Sequence, residues 1–158
     1  MESKVKLSGY AWCVTWIVNL ALLAGCLALF NEKPGFWILL CFLALLLIFG
    51  LLYGPIRIVS TPDFVTVKSG LLSQKIPMCD IENVQLFQPT MGAYRLFASG
   101  GYFGYWGVFR EGDIGRYVAY YGKASDCFLI RMKNGGNYVL GCENPSEMVS
   151  YIRSHLTR

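Results

Sequence analysis

Two long stretches near the N-terminus contain only uncharged and mostly apolar side chains. The first covers residues 10–30 and the second residues 36–53. As α-helices they would be about 31 and 27 Å long, close to the roughly 30 Å hydrocarbon core of a bilayer. Aromatic side chains lie toward the ends of both stretches, where interfacial aromatics belong. The pattern predicts two membrane-spanning helices.

A short polar link, residues 31–35, joins the two stretches, and its length and Pro-Gly pair permit only a tight antiparallel hairpin. Lys4 and Lys6 precede the first helix. Arg57 and Lys68 follow the second helix, whereas the link contains a single lysine. The positive-inside rule therefore predicts that the N- and C-termini are both cytoplasmic.

Polar and small side chains in the first stretch indicate how the helices pack. Asn19 is the only strongly polar side chain in either stretch. We interpret it as a hydrogen-bonding group toward the second helix, with a transport or signalling site as the alternative. Ala21, Gly25 and Ala28 form a stripe of small residues, which favours close helix packing or oligomerisation.

One short motif in the same stretch has two interpretations. Residues 23–26, Leu-Ala-Gly-Cys, resemble the lipobox of bacterial lipoproteins, which is cleaved before a cysteine that then receives lipid. Lipoboxes are followed by polar residues, whereas residues 27–30 continue the apolar stretch. We favour a chance match, because Leu, Ala and Gly are common in membrane helices. In either case the second helix returns the rest of the chain to the cytoplasm.

From residue 54 onward the apolar positions change from a helical to an alternating, strand-like period. Turn residues separate the apolar runs at residues 61–63, 69–70 and 134–136. The pattern predicts seven antiparallel strands, over residues 56–60, 64–68, 71–77, 84–88, 117–121, 127–133 and 137–142.

The six cysteines are predicted to be small buried side chains, and three of them lie in apolar runs. They include no CxxC pair, which argues against a disulfide framework or a zinc site. If residues 134–135 form a two-residue hairpin turn, Cys127 faces Cys142 across the ladder. In the same register Leu129 lies opposite Leu140 on a core face.

The chain closes with a helix-start signal followed by an amphipathic pattern. Asn144 is suited to cap a helix, Pro145 fits its first position, and Glu147 lies where a capping-box acid belongs. A helix that covers one end of the sheet is therefore predicted. Its apolar face would comprise Met148, Val149, Ile152 and Leu156.

Two parts of the tail carry a family resemblance. Residues 59–89, VSTPDFVTVKSGLLSQKIPMCDIENVQLFQP, resemble the opening half of a bacterial PH domain. The runs SGGYFGYWGVF, GRYVAYYG and CFLIRMKNGGNYVLGCENPSE resemble its second half. The resemblance covers residues 56–156 and implies an α+β, membrane-anchored protein. It would combine an N-terminal two-helix transmembrane hairpin with a PH-like antiparallel β-roll capped by a C-terminal α-helix.

The resemblance does not extend to a phosphoinositide site. Phosphoinositide-binding members of the wider PH superfamily carry several basic residues on and between the first two strands. This chain has only Arg57 and Lys68 there, around the uncharged residues 60–62 and the acidic Asp63. Specific phosphoinositide binding is therefore not expected.

The run GGYFGYWGVF lies in a segment, residues 89–116, that the strand pattern leaves unassigned. A connection of that length is functional or contains unrecognised elements. Its spacing fits no phosphate-binding motif. Three interpretations remain: a loop at lipid-headgroup depth, a partner-binding surface, or packing onto the chain's own domain or helices. The candidate interaction residues are Tyr102, Phe103, Tyr105, Trp106, Phe109 and Arg110.

Charge and chemistry narrow the function classes. The net charge of +4 is too small to predict a nucleic-acid partner. The only histidine, His155, falls at the end of the last helix, where Ser-His or Cys-His chemistry would lack rigid support. No metal-ligand or cofactor motif occurs. We therefore predict a protein without catalysis or cofactor.

Together these features predict residues 1–9 as a cytoplasmic N-terminus, 10–53 as a transmembrane hairpin and 54–158 as a cytoplasmic PH-like domain. The expected role is a membrane-tethered interaction or scaffold module, with a bilayer and a protein partner or a second copy as its contacts. One alternative is a module that senses lipid or the membrane surface through the Gly/aromatic segment. Another is an accessory subunit of a larger membrane complex, contacted through the small-residue stripe.

Overall fold

The computed structural model describes residues 1–90, 92–112 and 114–156. Two long helices, α1 (Gly9–Ala28) and α2 (Lys33–Tyr53), form an antiparallel pair that we call the helical hairpin. Both are long and apolar enough to cross a membrane, with mean hydropathies of 1.9 and 2.8, and most of their side chains are exposed. Pro34 lies in the first turn of α2 rather than in the link. Backbone N–H groups in the first turn have no partner within the helix, so a proline there costs no helical hydrogen bond.

The remaining described residues form ten strands and a C-terminal helix, α3 (Pro145–Leu156). A short strand precedes α1, and nine follow α2. In chain order the strands are β1 (Glu2–Lys4), β2 (Pro55–Ser60), β3 (Phe64–Ser69), β4 (Ser73–Pro77), β5 (Ile81–Leu86), β6 (Tyr94–Gly101), β7 (Gly104–Glu111), β8 (Gly115–Tyr121), β9 (Cys127–Met132) and β10 (Asn137–Gly141).

The strands form two sheets. One has the order β1-β2-β3-β4 and the other β5-β9-β10-β8-β7-β6. All neighbours are antiparallel except β8 and β10, which are parallel. β1 precedes α1 and pairs with β2, which follows α2. The segments on either side of the helical hairpin therefore meet at the same end of it.

Alternating apolar residues from both sheets enclose the main core, which α3 closes from one side. The predicted face of α3 is confirmed, since Met148, Val149 and Ile152 are buried. Other members of this core are Ile58, Val65, Val67, Ile76, Val84, Phe128, Ile130 and Leu140.

The β9–β10 register differs by one residue from the prediction. The connection is longer than the two-residue turn expected from residues 134–135, and Gly135 within it has φ +82°. Cys127 therefore pairs with Gly141 rather than Cys142, and Leu129 with Val139 rather than Leu140. The longer loop is accommodated because glycine adopts the left-handed conformation at little cost.

The segment left unassigned by the sequence pattern is a β-hairpin, β6–β7, which we call the aromatic hairpin. Its tip, residues 101–104, is a two-residue turn flanked by a Gly101–Gly104 pair. Positive φ at Gly101, Gly104 and Gly107 interrupts the regular pleat of both strands. This interruption is why simple alternation of apolar and polar positions is absent from the segment.

Candidate functional site

The tip of the aromatic hairpin contacts both α1 and α2. Phe103, at the second position of the turn, has φ +53°, a left-handed conformation that costs a non-glycine residue about 1–2 kcal/mol. Such a conformation persists only where surrounding contacts hold it. The contacts that do so come from both members of the helical hairpin.

Thr15 of α1 is the central polar contact. Its Oγ1 accepts a hydrogen bond from the Phe103 backbone N–H at 2.9 Å and donates to the Ala11 carbonyl at 2.8 Å. The same oxygen lies 3.4 Å from the Gly101 carbonyl. Thr15 is buried, so these bonds are shielded from water.

Asn19, one turn further along α1, receives the Tyr102 side chain. The Tyr102 hydroxyl donates to Asn19 Oδ1 at 3.2 Å, and Asn19 Nδ2 donates to the Thr15 carbonyl at 2.7 Å. Burial raises the pKa of Tyr102, against a smaller lowering by Asn19, so the phenol remains a neutral donor. The predicted bond from Asn19 to the second helix is replaced by this bond to the aromatic hairpin.

The Phe103 ring occupies a notch in α2 that exists because Gly50 has no side chain. A Cβ atom at Gly50 would overlap ring atoms of Phe103, the nearest being Cδ2. A Cβ atom at Gly54 would lie 3.1 Å from the Phe103 Cβ atom. Gly50 is accordingly the one buried residue of α2. Glycine here permits close approach of a bulky turn to a helix.

The other aromatic side chains of the segment also have internal partners. Trp106 stacks on Tyr53 at the end of α2, with ring centroids 5.2 Å apart and planes at 17°. Its Nε1 donates to the Tyr102 carbonyl at 3.0 Å. Tyr105 stacks on Tyr121 of β8 at 4.8 Å. The two remaining candidate interaction residues differ in exposure. Phe109 is buried and stacks on Tyr117, whereas Arg110 is exposed.

This arrangement gives hydrogen-bond partners to the Phe103 N–H and to the Tyr102 carbonyl well inside the length of α1. Asn19 lies about 15 Å along α1 from Gly9, at 1.5 Å per residue. Ser99 adds a further bond, its hydroxyl donating to the Tyr102 carbonyl at 2.9 Å. In a lipid environment every backbone polar group needs such a partner, because no water replaces it. The bonds to Phe103 and Tyr102 are of the kind that backbone beside membrane helices requires.

The three members of the small-residue stripe of α1 do not share one environment. Gly25 faces α2, where an added Cβ would lie 2.7 Å from Leu39 Cδ2, whereas Ala21 and Ala28 are exposed. Gly25 therefore serves packing within the chain. Cys26 of the lipobox-like motif is buried inside α1.

Three determinants of the site were missed in the sequence: Gly50, Ser99 and Tyr53. Glycine in an apolar helix has many roles, and serine and tyrosine near a turn carry no specific signal. Thr15 and Asn19 do share one helical stripe, which is the single sequence feature that indicates a polar contact on α1.

Arg57 and His155, both noted in the sequence, have partners within the protein. Arg57 forms a 2.8 Å ion pair with Glu2 of β1, so an N-terminal strand covers the region where a PH domain would carry phosphoinositide-binding residues. His155 Nδ1 lies 2.8 Å from the Tyr151 carbonyl within α3. Within residues 1–90, 92–112 and 114–156, no group of three or more His, Cys, Asp or Glu side chains is arranged to hold a metal ion.

Comparison with known proteins agrees with this architecture. A family model described as "Bacterial PH domain" matches residues 56–156, which comprise β2 through α3. Neither the curated proteins nor the solved structures contain a match. The expected resemblance is thus confirmed over nearly two thirds of the sequence: the chain belongs to the bacterial PH domain family.

Proposed function

We propose that the chain is a membrane-tethered binding or scaffold module whose PH-like domain is held in a fixed orientation on the cytoplasmic face of a bacterial membrane. PH domains are typically non-catalytic binding modules, and we assign the chain no catalytic step. The observation that carries the proposal is the docking of the tip between α1 and α2. A domain docked in this way presents the opposite end of the aromatic hairpin away from the bilayer.

That opposite end carries the surface we assign to a protein partner, formed by Tyr94, Arg110 and Arg116. Arg110 pairs with Tyr94 on one side and with Arg116 on the other. All three are exposed, Tyr94 to 77%. Arg110 and Arg116 carry like charges directly opposite each other, an arrangement that destabilises a sheet. Tyr and Arg are also enriched among the residues that contribute most to the free energy of protein binding. The patch therefore favours a partner with an acidic surface.

The nearby acidic side chain does not neutralise the patch. Glu111 is buried and accepts hydrogen bonds from the Thr90 N–H at 3.0 Å and the Tyr117 hydroxyl at 3.4 Å. Burial, reinforced by Glu111, raises the pKa of Tyr117, so this phenol stays protonated as a donor. Asp113 lies outside the described residues.

In-cell photocrosslinking tests the partner surface. A photoreactive residue at Tyr94 should give one discrete protein adduct, and the double variant Arg110→Glu, Arg116→Glu should reduce its yield at least tenfold, because charge reversal repels an acidic surface. Arg131→Glu is the matched control, since Arg131 is exposed on β9 and should leave the adduct unchanged. Adducts that persist in the double variant, or none in the wild type, would contradict the assignment.

The orientation in the membrane is tested with a native cysteine. Cys79, predicted to be buried, is exposed on the domain, whereas burial raises the pKa of the Cys127 and Cys142 thiols and keeps them unreactive. Cys13 and Cys41 are also exposed, but they lie in α1 and α2, which the proposal places in lipid. A membrane-impermeant maleimide should therefore label Cys79 in inside-out vesicles and not in intact cells. Cys79→Ser should abolish the labelling. Equal labelling from outside would place the domain on the other face.

A second function, recognition of the membrane surface itself, is supported by the β3–β4 turn. Leu71 is 74% exposed, although it is a large apolar residue. The turn lies beside the end of α2, because Ser69 Oγ donates to the Tyr53 carbonyl at 3.3 Å and Gly70 contacts the Leu51 backbone. Leu71 would then lie at the same level as the last turn of α2, at the lipid interface.

A further inference from the structure

We infer that the space between the free edge of β6 and the helical hairpin binds one phospholipid of the surrounding bilayer. The space is a groove of about 600 Å³. One wall contains Val18 of α1 with Leu46 and Phe49 of α2, and the other contains residues 95–99 of β6. Tyr102 and Trp106 of the aromatic hairpin also line the groove. The inference rests on the proposal that α1 and α2 span a bilayer, since lipid then surrounds these walls.

The charged end of the groove is formed by Arg95. Its side chain runs along β6, and its guanidinium lies over Gly100, where an added Cβ would lie 2.5 Å from the Arg95 Nε atom. The absence of a side chain at Gly100 thus leaves the space that the guanidinium occupies. Among the described residues no carboxylate forms an ion pair with Arg95. A guanidinium without an anion suits a phosphodiester, which it binds through two hydrogen bonds.

The guanidinium lies near the first turn of α1, which is the level expected for lipid headgroups. Gly101, the residue after Gly100, contacts the Tyr10 ring. Tyr105 lies close enough to be influenced by both Arg95 and Tyr10. Burial is the main cause that raises the pKa of Tyr105; Tyr10 adds to this rise, and Arg95 opposes it. The charged end is therefore bordered by two phenols, which are common at membrane interfaces.

The apolar walls of the groove come from the helical hairpin and from β6. Leu46 is about 10 Å from Tyr53 along α2, at 1.5 Å per residue. On the opposite wall Phe97 is 80% exposed and Leu96 is 55% exposed, although both are large and apolar. The groove therefore combines one cationic group with apolar walls beside the proposed membrane-spanning helices. A phospholipid of the adjacent leaflet likewise combines a phosphodiester with apolar acyl chains, which is why we commit to this occupant.

Native mass spectrometry of the full-length protein in a mild detergent tests this site with two probes. Phosphatidylglycerol carries the phosphodiester, and diacylglycerol with the same acyl chains lacks it. One phosphatidylglycerol per chain should bind at least tenfold more tightly than diacylglycerol. Arg95→Gln should remove that preference, because the remaining contacts are shared by both lipids. Phe97→Ser should weaken both lipids about equally, because the acyl contacts are common to them.

Arg131→Gln removes the same charge from an exposed position outside the groove and should keep the preference. Circular dichroism of each variant shows whether it is folded, and the lipid preference is compared only among folded variants. A preference retained in Arg95→Gln would overturn the inference. Competition by glycerophosphate at the same concentration as the lipid would also overturn it, by assigning the site to a soluble phosphate. Neither result affects the crosslink from Tyr94, so failure of this site and failure of the proposed function are distinguishable.

Discussion

Thr15→Val is expected to release the tip of the aromatic hairpin from α1. Valine has nearly the same shape as threonine but cannot accept the hydrogen bond from the Phe103 N–H, which Thr15 Oγ1 receives at 2.9 Å. An unsatisfied buried donor costs about 1–3 kcal/mol. Hydrogen exchange of the Phe103 amide, measured on the full-length protein in lipid nanodiscs, should accelerate roughly 5-fold to 150-fold.

The matched control for this experiment is Thr15→Ser, which keeps the hydroxyl and removes only a methyl group. Its Phe103 amide should exchange within about threefold of the wild-type rate, since the bond is preserved. Amides of β9 should be unaffected in both variants, because β10 and β8 separate β9 from the aromatic hairpin in the sheet. Equal exchange in the valine and serine variants would show that the hydroxyl does not hold the tip.

Gly50→Ala is expected to displace the Phe103 ring from its notch in α2. Even a methyl group would overlap the ring, and overpacking of this kind costs about 1–3 kcal/mol. Trypsin should cleave more rapidly after Arg95 in nanodiscs, because an undocked hairpin opens more often. Adding Phe103→Gly to Gly50→Ala should restore slow cleavage, since it removes the clashing ring and also fits the positive φ.

Gly35→Ala serves as the control at the other end of α2, where an added Cβ would make an ordinary 3.4 Å contact with Leu29. It should leave the cleavage rate after Arg95 unchanged. If Gly50→Ala behaves like Gly35→Ala, the ring does not occupy the notch. If the double variant remains as sensitive as Gly50→Ala, the effect arises from α2 itself.

Much of the fold follows from local pattern. The uncharged apolar stretches predict α1 and α2 to within a few residues, and the alternation around residues 64–68 and 127–133 predicts β3 and β9. The α3 face is likewise evident from its period. The aromatic hairpin has no such period, because Gly101, Gly104 and Gly107 interrupt the alternation at the positions that a strand pattern would need.

The candidate site depends on long-range pairing that local pattern does not encode. A stripe containing Thr15 and Asn19 indicates that α1 has a polar contact, but the partner lies more than eighty residues away in the chain. Strand β1, only three residues long, has no period to detect. Its pairing with β2 depends on the helical hairpin returning the chain to its starting point.

The role of the glycine and aromatic run follows from these contacts. Tyr102, Phe103 and Trp106 contact the chain's own helices, and the glycines permit the close approach and the unusual φ angles that this requires. Partner-binding surfaces are therefore assigned elsewhere, at Tyr94 and Arg110 for protein. Under the proposed function, a domain fixed in this way relative to α1 and α2 would present the protein-binding surface at a defined height above the bilayer.

Photocrosslinking from position 106 in intact cells tests the docking most directly. With a photoreactive residue in place of Trp106, the protein should give an internal adduct that mass spectrometry maps to the end of α2, around Phe49 and Tyr53, because Trp106 stacks on Tyr53. The same residue at exposed Tyr94 should give no such internal adduct. A discrete adduct to another protein from position 106, without the α2 adduct, would contradict the docked arrangement and would make the run a partner-binding surface.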